Sequence, residues 1–179
     1  VHSDLTVVGE ALQVLAPSFV QHQRMDPAAC SALALLSINQ VTGCTMMVNR
    51  ALLELALPLP EQTIMHDWWC AVVSSSGRRV FIAEALILYR QHGSNQLGAK
   101  DRSLRMRLLR LVTNGRGVLQ RVLSLGRATK SQAQALQTRL ERWGHAGGYV
   151  SEYLAWRSRP WWRRLLAVSY THLTLPTIY

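Results

Sequence analysis

The sequence predicts an α/β layer that passes into a basic α-helical extension. Three observations carry this. Between residues 1 and 98, short β-rich runs alternate with helical periods, separated by Gly, Pro and Ser, as layered strands and helices require. From Lys100 onward apolar residues recur at helical spacing with Arg interleaved. The charge divides at the same place. Residues 1–99 hold five Arg against seven Asp or Glu, a balance of −2, and residues 100–179 hold fifteen Lys or Arg against three acids, a balance of +12.

The elements follow in order. Leu5–Val8 is a β-rich run closed by Gly9, and Ala16-Pro17-Ser18 breaks the next segment. Asp26-Pro27 reads as a helix start, with Asp as N-cap and Pro at the first helical position, and the helix is expected to run to about Ile38. Val41–Val48 is a strand candidate with Gly43 inside it, where a glycine lets another group approach the backbone. Asn49 is expected to cap a short helix, Arg50–Ala56, which Pro58-Leu59-Pro60 ends. A further helix starts near His66 and stops at Ser74–Gly77. Val80–Ile82 and Leu86–Tyr89 read as two strands, and Gln91–Gly98 as a polar loop. Beyond Lys100, Leu104, Leu108, Leu111 and Val112 form one apolar face, and Asn114-Gly115 is expected to break it. Val118–Leu123, then Ala133–Trp143, then Tyr149–Trp156 supply three more faces.

Composition narrows the function classes. The chain of 179 residues is 49% hydrophobic, enough for a domain with a core and unlike a disordered sequence. Cys30, Cys44 and Cys70 are three in number, without a CxxC or Cys/His pair of zinc spacing. They read as reduced, mostly buried thiols of an intracellular protein. No apolar run reaches the length of a membrane span. The start lacks the regions of a signal peptide and an initiator Met, and reads as the middle of a longer frame. The last stretch, Val168–Tyr179, resembles the in-frame translation of a sequencing-library adaptor and is read as a non-native tail.

Three stretches carry the chemistry: Val41-Thr42-Gly43-Cys44-Thr45-Met46-Met47-Val48-Asn49-Arg50, then Met65-His66-Asp67-Trp68-Trp69, then Leu88-Tyr89-Arg90-Gln91-His92-Gly93-Ser94-Asn95. In order and spacing they resemble the second half of family 2 glycosyltransferases of the GT-A fold, in particular bacterial members that build surface polysaccharides, rhamnosyltransferases among them. The likeness covers about residues 1–100, and Ser3-Asp4-Leu5 fits the segment that follows that family's metal-binding DxD motif. It implies that residues 1–99 are the acceptor-side half of a GT-A domain truncated at its N-terminus, that 100–167 are a basic helical extension, and that 168–179 are the adaptor-derived tail.

The resemblance also implies roles. Asp67 aligns with the family's general base. It would take the proton of the acceptor hydroxyl as that oxygen attacks the anomeric carbon, and a first-turn position holds a carboxylate as the anion. Read locally, Asp67 is first of all a helix-capping residue, and it is the resemblance that makes it a base. Thr42, Gly43 and Cys44 would line the acceptor side, with Gly43 leaving room for the sugar and Cys44 a buried thiol rather than a nucleophile. His66 would position a phosphate or the acceptor. Trp68 and Trp69 would stack on a sugar ring, although adjacent helix positions point roughly 100° apart, so at least one belongs to the core. Arg90 and His92 alternate onto one face at a strand end. They would neutralise the departing diphosphate, with His92 completing the metal site; otherwise they are ordinary loop charges.

The sequence also departs from the family. No DxD occurs. The main ligands of an Mg or Mn ion, and the nucleotide-binding strands, would lie upstream, so this piece alone is expected to be inactive. Its partners would be a nucleotide-sugar donor and a saccharide or lipid-linked acceptor. The basic end has its own reading: Trp156, Arg157, Trp161, Trp162, Arg163 and Arg164 interleave Trp and Arg as an interfacial helix on anionic lipid does. With a lipid-linked acceptor at the cytoplasmic face, as the resemblance implies, the protein is expected in the cytoplasm, peripheral to the inner face of the plasma membrane. A solvated Arg-rich helix face is the plainer alternative. Nucleic acid is not expected, since no recognised binding motif accompanies the charge. The competing function is a non-catalytic basic module that binds anionic membrane or another polyanion.

Overall fold

The computed structural model describes residues 1–91 and 104–160, and for 104–114 the backbone alone. Strand β1 (His2–Val8) lies in the middle of a three-stranded sheet. It pairs antiparallel with β2 (Val14–Ala16) and parallel with the ten-residue β3 (Phe81–Arg90). The two runs expected as separate strands at Val80–Ile82 and Leu86–Tyr89 are one strand. Ala83-Glu84-Ala85 between them carries no turn residue, so the strand continues through them, and the break shows only as a shift of register against β1 between Ser3 and Thr6.

The short helices owe their starts to local caps. Helix α1 (Phe19–Gln23) is capped by Ser18, whose oxygen accepts from Gln21 N–H at 3.0 Å. The helix expected over 26–38 is instead a turn followed by α2 (Ala32–Leu35). The Asp26 carboxylate accepts from Ala29 N–H, but Ser31 then offers a second cap, accepting from Ala34 N–H, and the chain restarts there. Val41–Val48 is not a strand. Thr42 O accepts from both the N–H and the hydroxyl of Thr45, which winds Gly43–Thr45 into a 3-10 turn and leaves a single β-bridge, Met46 to His2. Asn49 caps α3 (Arg50–Ala56) as expected, accepting from Leu52 N–H at 2.9 Å. Helix α4 (His66–Val73) starts at the expected residue.

Asn114-Gly115 does not end a helix. Helix α5 runs unbroken from Leu104 to Arg142, because a propensity cost of about 1 kcal/mol at one glycine is easily outweighed by the turns on either side. Helix α6 (Gly148–Ser158) packs back on it. The main core draws on both sides of residue 99: Leu35, Val41, Leu55, Trp68, Trp69 and Val72 from the first part pack with Ala133, Leu136, Leu140, Val150 and Tyr153 from the second. The helices at 129–158 therefore complete the core rather than trail from it. A smaller cluster of Leu5, Val7 and Ala16 lies under the sheet, with Phe19, Ile87 and Tyr89 against it.

Candidate functional site

Asp67 occupies the first turn of α4 and is 5% exposed. Its Oδ1 accepts from Trp68 N–H at 2.7 Å and its Oδ2 from Gly43 N–H at 3.1 Å. The first bond is part of the helix start; the second reaches across 24 residues to the 3-10 turn. A carboxylate offers about four acceptor positions, so both oxygens keep capacity for a further donor.

The absence of a side chain at Gly43 lets this contact close tightly. A Cβ there would lie 2.9 Å from His66 Nε2, 3.2 Å from Asp67 Cβ and 3.5 Å from Asp67 Oδ2. The room expected for an incoming sugar is thus taken by His66 and Asp67 themselves. His66 is exposed, Thr42 is half-buried, and Cys44 presents an exposed residue on the same turn. Cys44 is therefore not the buried thiol expected; partial desolvation, and less strongly the Asp67 charge, still push its thiol up against the lowering effect of a backbone hydrogen bond, so it is a poor nucleophile. The structure thereby brings Thr42, Gly43, Cys44, His66 and Asp67 into one small lip.

Trp68 and Trp69 are not part of that lip. Both indoles are buried, and each N–H is spent on a backbone carbonyl: Trp68 Nε1 donates to Leu35 O at 2.6 Å and Trp69 Nε1 to Ala56 O at 2.8 Å. Neither has a free face for a sugar ring. Pointing roughly 100° apart, the two rings serve different neighbours, α2 and the end of α3, and so fix α4 between them.

Arg90 closes β3 opposite Val8, at the far end of β1 from His2. His2 is the residue that bridges to Met46 beside the 3-10 turn. Six residues of strand, roughly 20 Å, separate the two ends, so Arg90 is not gathered into the lip. His92 lies outside the described residues, as do Trp161, Trp162, Arg163, Arg164 and the tail Val168–Tyr179. Among the described residues no group of three His, Cys, Asp or Glu could hold a metal ion. Asp4 is buried and accepts from Ser18 Oγ, Val20 N–H and Leu5 N–H, which fastens the start of α1 to β1.

Trp156 and Arg157 also face inward. Trp156 packs half-buried against the main core. The Arg157 guanidinium donates to Gly126 O and stacks 6.0 Å from the Trp156 ring. They join α6 to α5.

Two residues without any local motif position the lip. Arg139 of α5 donates to three carbonyls that follow or end α3, Leu55 O at 3.0 Å, Leu57 O at 2.8 Å and Pro58 O at 2.7 Å, with its guanidinium 5.8 Å from the Trp69 ring. Gln132, fully buried, accepts from Ile64 N–H at 3.0 Å. Together they hold the segment that delivers the chain into His66 and Asp67. A cavity of about 660 Å³ lies elsewhere, lined by His2, Val41, Leu52, Cys70 and Trp143 among others, and does not reach Asp67. Comparisons of the chain with protein-family models, curated proteins and solved structures found no match. Among the described residues no helix is long and apolar enough to cross a membrane.

Proposed function

We propose that the chain is the acceptor-side part of an inverting sugar transferase, one that moves a sugar such as rhamnose from a nucleotide-diphosphate donor to a saccharide or lipid-linked acceptor in surface polysaccharide assembly. Asp67 is the base in this reading. The observation that supports it is the contact of Asp67 Oδ2 with Gly43 N–H, which joins two of the three stretches on which the family resemblance rests. The carboxylate is fixed by two amides and keeps acceptor capacity, as proton abstraction from a hydroxyl requires. Exposed His66 beside it suits contact with the acceptor. The diphosphate, the metal and the nucleotide are held by sequence upstream. The enzyme works at the inner face of the plasma membrane, as a peripheral protein.

The test is Asp67→Asn in a version that carries the donor-binding half. Loss of a general base costs about 10²–10⁴-fold in turnover, with donor binding nearly unchanged. Asn keeps one acceptor oxygen where two amides are bound, so stability falls by about 1–3 kcal/mol and turnover is read well below the variant's unfolding midpoint. Unaltered turnover would refute the role of Asp67.

A further inference from the structure

We infer that residues 115–127 of α5 form an amphipathic docking surface for anionic lipid. This deepens the peripheral-membrane part of the proposed function and is independent of the transfer chemistry.

The apolar stripe of α5 outruns the core. Positions 118, 122, 125, 129, 132, 136 and 140 follow one another at intervals of three or four and so share one helix face. From Thr129 onward that face is buried: Thr129, Gln132, Leu136 and Leu140 are all in the interior. The bond from Arg157 to Gly126 O marks where α6 stops covering it. Before that point the helix carries a broader apolar sector, running from Leu125 and Val122 round to Leu119 and Leu123, that no described residue covers. Leu119, Val122, Leu123 and Leu125 are 46–61% exposed, values unusual for four large apolar side chains within seven residues of one helix.

The charge identifies the occupant. From Arg102 to Leu140 the sequence holds nine Lys or Arg and no Asp or Glu. On the exposed stretch, Arg116, Arg121 and Arg127 are exposed too, and at 100° per residue they flank the apolar sector on its two sides. An apolar strip edged by Arg is the design of a helix lying in a lipid interface. A second copy of the chain would bring the same positive edge and be repelled. A polyanion such as nucleic acid would engage the Arg residues but leave the apolar strip exposed.

The experiment uses the 179-residue chain and vesicles of phosphatidylcholine with about 30 mol% phosphatidylglycerol, followed by co-sedimentation. Binding is expected at low salt, with little to pure phosphatidylcholine and a steep loss as salt rises. Changing Leu119, Val122 and Leu123 together to Glu should abolish binding without lowering the denaturation midpoint. Changing Arg116, Arg121 and Arg127 together to Gln should weaken it on the order of a hundredfold, about fivefold for each charge. Three results would overturn the inference. One is retained binding in the Glu variant. Another is equal binding to pure phosphatidylcholine. The third is a lowered midpoint or a lost dimer in the Glu variant, which would show that protein covers the stripe. No sugar donor enters the assay, so its failure leaves the role of Asp67 standing, and an inactive Asp67 leaves this surface standing.

Discussion

Replacing Arg139 with Ala tests whether the basic helices hold the lip together. The change removes three hydrogen bonds from a guanidinium to the carbonyls of Leu55, Leu57 and Pro58, and a cation–π contact with Trp69. A bond to a charged group contributes about 1.5–3 kcal/mol. Two of the three are exposed to water and one group makes them all, so they do not add. The cation–π contact contributes about 0.5–1 kcal/mol more. A loss of about 2–3 kcal/mol in unfolding free energy is expected, read from urea denaturation with the slope unchanged. Arg142→Ala is the control. Arg142 is exposed one turn further along, and its loss should change stability by no more than about 0.5 kcal/mol. Equal effects of the two substitutions would refute the clamp, since bulk positive charge would then explain both.

Leu136→Ala should destabilise by about 2–5 kcal/mol, because Leu136 is wholly buried against residues from the first part of the chain; a neutral result in thermal or urea unfolding would mean that the helices do not share that core. Gly43→Ala should cost about 1–2 kcal/mol. His66→Ala in the same chain should recover only part of it, since the 3.2 Å approach to Asp67 Cβ remains; full recovery in a double-mutant cycle would count against the close packing of α4 on the turn. The His2 side chain is buried, its imidazole lowered from the usual value to about 4 by burial first and by the nearby Arg79 second. The unfolded chain then binds more protons than the folded one between about pH 6.5 and 4. Stability is therefore present above pH 6.5 and lost as pH falls through that window, by at most about 3 kcal/mol. His2→Gln should flatten the profile of denaturation midpoint against pH, and an unchanged profile would exclude His2 as its cause.

What could be read in the sequence was short in range. Asn49 as a cap, the start of α4 at His66 and the first-turn position of Asp67 each depend on neighbours within four residues, and capping acts at that distance. Local signals misled where two caps competed, as at Asp26 and Ser31, and where Asn114-Gly115 met a helix long enough to absorb it. The apolar sector on α5 was legible as a helical period, but that no described residue covers it was not.

The sequence by itself determined the division of charge at residue 99, the mixture of strands and helices before it and the helical run after it, because composition and period are properties of the chain alone. The expected alternation was not kept, since the helices fall together between β2 and β3. It placed the carboxylate of Asp67 at a helix start. Only the tertiary structure decided that Gly43, 24 residues away, donates to that carboxylate, that both Trp rings turn inward, and that Arg139 reaches back 84 residues to the end of α3. Such contacts follow from how buried faces fit together, and no local pattern encodes which distant carbonyl a side chain will meet.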